Sequence, residues 1–115
     1  MRELWAGGDL QEKELEMAKM TQDIEYFTTS VLRQIPEPWT EDITLDVFET
    51  IKGDEVLMRL YEMLVDSYNE RAEDPQGVVN VWIAKYVRRL SGRESAEKQT
   101  PAPEGALVGS YRKLY

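Results

Sequence analysis

Val56-Leu57-Met58-Arg59-Leu60-Tyr61-Glu62-Met63-Leu64-Val65 leaves only Arg59 and Glu62 polar in ten positions. A membrane span needs about 20 apolar residues, so this run belongs to a folded domain. Asp54 stands where a helix N-cap belongs, which predicts a helix over 55–72. An element apolar nearly all round has to be covered on several sides. The reading therefore places this helix at the centre of a bundle, and the neighbouring segments are read as its cover.

Working toward the N-terminus, Gly53 follows Lys52 and is expected to close a second helix over 41–52 in the left-handed conformation. Thr40 can cap that helix, and Ile43, Val47, Phe48 and Ile51 supply its apolar face. Pro36 and Pro38 end a first, longer helix over 9–34, because proline lacks the donor and constrains the residue before it. Asp9 with Glu12 three positions on resembles a capping box. Leu10, Met17, Ile24 and Val31 recur along this helix, with Met20 and Phe27 between them. The spacing is also heptad-like. Lys13 and Gln34 occupy seam positions, however, and the flanks carry Thr21, Thr28 and Ser30 instead of opposed charges, so a bundle helix is expected over a coiled coil.

Toward the C-terminus, Asp74-Pro75 reads either as the start of a type I turn or as an N-cap with proline at the first helical position. The valines and aromatics of 78–90 favour a strand. Against that, Asn80, Ala84, Lys85, Arg88 and Arg89 gather on one helical side, and basic residues collect just before Ser91-Gly92. A fourth helix over 76–91 is expected. Residues 93–105 hold too little apolar surface to repay their ordering and read as a flexible linker. The chain then turns apolar and aromatic again over 106–115. The expected fold is all-α: a helical domain over 1–92, a linker over 93–105, and a C-terminal docking tail over 106–115.

Composition narrows the function. In 115 residues there is no cysteine and no histidine. Disulfides, thiolate metal sites, Cys nucleophiles and the usual general base are thereby excluded. No phosphate-cradling glycine loop, nucleophile elbow or calcium loop occurs. Carboxylates four apart, such as Glu12 with Glu16, are read as solvated helix faces, and no cofactor or metal is expected. Residues Met1–Asp9 hold too short an apolar run for a signal peptide, so a soluble, cytoplasmic protein is expected.

Charge divides the chain. The formal net charge is −8. Residues 1–77 carry 19 acids against 7 bases, and residues 78–115 carry 3 acids against 7 bases. Three function readings follow. The first is a non-catalytic interaction or assembly protein whose arm docks through Leu107, Val108, Tyr111, Arg112, Leu114 and Tyr115, on its own chain or on a neighbouring subunit. The second is nucleic-acid binding through the basic helix end of Lys85, Arg88, Arg89 and Arg93 together with the basic tail, with Trp82 and Tyr86 nearby to stack on bases. A helix-turn-helix built on the second and third helices is not expected, because Glu55, Glu62, Asp66 and Glu70 would meet phosphates with like charge. The third reading is an inhibitor whose acidic face mimics nucleic acid. The interaction reading leads, because the chain lacks catalytic residue sets and ends in an apolar, aromatic arm.

Overall fold

The computed structural model describes residues 2–115, with side-chain environments from Leu15 onward. Four helices, α1 (Arg2–Leu32), α2 (Ile43–Lys52), α3 (Glu55–Asp66) and α4 (Pro75–Ser91), precede a two-stranded antiparallel sheet of β1 (Ser95–Pro101) and β2 (Ser110–Leu114). The protein is mostly helical, as the periodicity predicts, but it is not purely so. Among the described residues no helix is long and apolar enough to cross a membrane.

Helix α1 begins at Arg2, so Asp9 lies inside the helix instead of capping it. The side chains of Leu10, Glu12 and Lys13 lie outside the described ones. Further along, Met20, Ile24, Phe27 and Val31 are buried, as the stripe predicts, whereas Met17 is largely exposed. Buried Thr28 fits this apolar face because its hydroxyl donates to the Ile24 carbonyl at 2.7 Å. In α2, the predicted face of Ile43, Val47, Phe48 and Ile51 is fully buried.

The α2–α3 turn corrects one expectation. Gly53 is right-handed (φ −84°, ψ −2°), and it is Asp54 that leaves the helical region, with φ −124° and ψ 119°. The Asp54 carboxylate then accepts from Val56 N at 2.9 Å and Leu57 N at 3.0 Å. One extended residue suffices to redirect the chain, so no left-handed glycine is required.

Helix α3 is the larger correction. Only Leu57 and Tyr61 are buried within it, while Val56 is 67% and Met63 62% exposed. It also stops at Asp66, six residues earlier than expected. Ser67 Oγ donates to the Leu64 carbonyl and Asn69 Nδ2 to the Asp66 carboxylate, which offers the backbone a turn in place of another helical residue. Burial is instead deepest where α1, α2 and α4 meet, and Ile24, Val31, Ile43, Val47, Ile51, Val79, Ile83 and Val87 exclude solvent completely. Helix α3 packs one side onto this centre and turns the other outward.

Residues 78–90 are helical, as expected. Asp74 is the N-cap, accepting from Gly77 N at 3.0 Å, with Pro75 at the first position. Gly92 closes the helix at φ 67°, the left-handed region that suits glycine.

The expected linker is not free. Within 93–105, residues 95–101 form β1, whose Gln99, Thr100 and Pro101 pair with Arg112, Tyr111 and Ser110 of β2. Composition cannot reveal this, because β1 buries little of its own. Its backbone groups find their partners on the tail, and the tail supplies the apolar anchors. Leu114 is 2% exposed within the main core, and Tyr111 is buried beside it. The tail therefore docks on its own chain.

Two stability outcomes follow. Leu114→Ala is expected to lower unfolding free energy by about 2–5 kcal/mol in urea titrations, where a free tail would cost nothing. The Tyr68 hydroxyl is buried with no hydrogen-bond partner among the described residues. Tyr68→Phe is therefore expected to be neutral or to stabilise by up to about 1 kcal/mol, whereas Tyr61→Phe, which strips Asn80 of a 2.6 Å donor, is expected to destabilise by about 1–3 kcal/mol.

Candidate functional site

The loop ahead of α2 is the landing place of the C-terminal segment. Glu41 O accepts from Leu114 N at 2.7 Å. The Tyr111 hydroxyl donates to Asp42 Oδ1 at 2.7 Å, and Lys113 Nζ donates to Glu41 Oε1 at 3.2 Å. Arg93 Nη1 donates to the carbonyls of Trp39 and Thr40 at 3.0 and 2.6 Å. On the other side of the hairpin, Asn80 of α4 accepts from Tyr61 Oη and donates to Leu107 O at 3.0 Å. The hairpin is thus held from α2 and from α4.

Between these two attachments lies a cleft of about 300 Å³. Phe48 of α2, Val81 and Ala84 of α4, and Val108 and Leu114 of the C-terminal segment give it an apolar floor. Lys85 and Arg88 line it from α4, and Arg112 lines it from β2. Val81, Lys85 and Arg88 stand four and three apart, so helical geometry puts them on one face. Gln99 of β1 also lines the cleft, and its carbonyl oxygen is already occupied by the Ser110 hydroxyl at 2.9 Å. Its amide nitrogen is left as a donor.

No carboxylate lines this cleft among the described residues. The ion pairs they form lie elsewhere, joining Arg71 to Glu16 and Lys113 to Glu41 and Asp42. In a chain of net charge −8, three cations and an amide donor thus face one cavity without a counter-charge. Such a rim can receive an anion that carries an apolar body.

The residues anticipated from sequence are redistributed by the fold. Of the expected docking set, Tyr111 and Leu114 are buried, Leu107 and Val108 are half-buried against the core, and Arg112 and Tyr115 are exposed. Only Tyr115 projects as a large exposed apolar group, at 68%. The expected basic cluster is divided as well. Lys85 Nζ sits 4.8 Å from the Trp82 ring centroid and Arg89 Cζ 5.3 Å from that of Tyr86, and the two rings stack on each other. Arg93 is engaged by the loop carbonyls. Buried Tyr86 offers no face to a base. Lys85 and Arg88 remain on the cleft, joined by Arg112 from the tail.

Gln99, Phe48 and Val81 were not anticipated as site residues. Phe48 and Val81 carry an apolar signal in sequence, but it reads as core. Gln99 carries none, since its position depends on the pairing of β1 with β2. No known protein family, no curated protein and no solved structure matches this chain.

The Tyr111 phenol is pushed up to about 12, first by its hydrogen bond to Asp42 and then by burial and by the charge of nearby carboxylates. A phenol whose folded value lies above its ordinary value of 10.0 contributes stability that is complete below that pH and lost as pH rises through the folded value. Melting curves from neutral pH to pH about 12 are expected to show a steeper alkaline fall for the natural protein than for Tyr111→Phe.

Proposed function

We propose that this is a non-catalytic protein–protein interaction domain whose partner enters the cleft between α4 and the C-terminal hairpin. The observation that carries the reading is the donor-only rim of Lys85, Arg88 and Arg112 around an apolar floor. An interface core combines an apolar pocket with arginine or aromatic anchors, and this cleft has that composition. The chain contains neither histidine nor cysteine, which further favours binding over catalysis. The C-terminal arm then serves as one wall of the binding site, formed by docking on its own body.

Nucleic acid is the less favoured occupant. Of the four helix-end residues expected to neutralise phosphates, Arg93 is spent on Trp39 and Thr40. A long polyanion leaving the cleft would also meet a body carrying 19 acids in its first 77 residues.

A photo-crosslinking side chain at Val81, which is exposed on the cleft, tests the reading in the source cell. The same label at Glu62, on the outer side of α3, tests whether an acidic face meets a basic partner instead. A discrete polypeptide adduct from Val81 and none from Glu62 is expected. Adducts from Glu62 alone, or only nucleic-acid adducts from Val81, would overturn it.

A further inference from the structure

The shape and charge of the cleft specify its partner further than the interaction reading, on which the following rests. We infer that the cleft receives an acidic segment of a partner protein, with an apolar side chain of that segment on the floor and flanking carboxylates on the rim.

Charge complementarity is the first reason. Lys85, Arg88 and Arg112 converge from α4 and β2 on one cavity, with no carboxylate among its described lining residues. Several cations elsewhere are matched internally: Lys113 with Glu41 and Asp42, Arg71 with Glu16, and Arg93 with two carbonyls. None of those ion pairs lies on the cleft, where three cations share one cavity. Guanidinium groups take carboxylates in paired hydrogen bonds, and two of the three cations are arginines.

The floor is the second reason. Val81, Ala84 and Val108 give an incoming group apolar contact, which a bare inorganic anion or a sugar-phosphate backbone cannot use. A volume of about 300 Å³ is at the small end of ligand pockets and suits one or two side chains, not a groove that tracks a strand. The third reason is the charge of the rest of the molecule. A short acidic segment can satisfy three cations and leave, whereas an extended polyanion runs onto the acidic body.

The test uses the full chain and a fluorescent peptide in which a leucine–tryptophan pair is flanked by aspartates. Anisotropy reads affinity, and backbone amide shifts read location. Binding is expected to move the amides of Val81, Lys85 and Val108 and to weaken as salt is raised. An analogue with asparagine for every aspartate is expected to lose about tenfold or more, as is the Arg88→Glu, Arg112→Glu double variant. Arg33→Glu makes the same kind of charge change outside the cleft and is expected to leave affinity unchanged. Retained circular dichroism and amide dispersion show that the double variant is folded. Equal binding of the asparagine analogue, no binding of the acidic peptide, shifts confined to other surfaces, or tighter binding of an oligothymidylate at the same amides would each overturn the inference. A polypeptide captured at Val81 without acidic-peptide binding would remove the partner class alone. An empty Val81 label would remove the interaction reading itself.

Discussion

Carbonyl and carboxylate oxygens of residues 39–42 accept nearly every strong donor that the C-terminal segment brings to the body: Leu114 N, the Tyr111 hydroxyl, the Lys113 ammonium and the Arg93 guanidinium. A two-stranded hairpin is marginal in water on its own. Here it is joined to the start of α2 by these bonds and to the core by Leu114, so the ordering of β1 and β2 is offset by burial elsewhere. Without that attachment Arg112 and Gln99 would have no fixed place, and the cleft would lose one wall.

The same attachment explains how an acidic chain keeps a basic pocket. Bases are concentrated after residue 77, and folding brings that basic C-terminal part against the acidic remainder. Several of these cations are matched there by carboxylates or carbonyls. Lys85, Arg88 and Arg112 are carried past the acidic loop and end around the cleft. A charge split visible along the chain thus becomes a local electrostatic feature, created by which cations the fold leaves over.

Much of the helical framework was legible in the residues. The apolar spacings of Ile24, Phe27 and Val31, and of Val47, Phe48 and Ile51, mark faces that are in fact buried. Asp54, Asp74-Pro75 and Gly92 mark ends where the backbone needs a cap or a left-handed turn. The site was legible only in fragments. Lys85 and Arg88 were joined to the basic tail only as a candidate nucleic-acid surface, and nothing in their spacing places residue 88 and residue 112 on one cavity. The error over α3 has the same origin. Ten apolar-rich residues announce burial, but Val56, Leu60 and Met63 are exposed because α1, α2 and α4 form the centre without them.

Sequence by itself determined the helical segments, most of their ends, the absence of thiol and imidazole chemistry, and the opposition of an acidic body to a basic C-terminal part. These are properties of neighbours along the chain, set by helical period, capping and composition. Tertiary structure alone decided that 95–101 is a strand, that the tail belongs to its own core, and which cations share a cavity. The physical reason is separation: Tyr111 meets Asp42 across 69 residues and Leu107 meets Asn80 across 27, and no local preference encodes partners that distant.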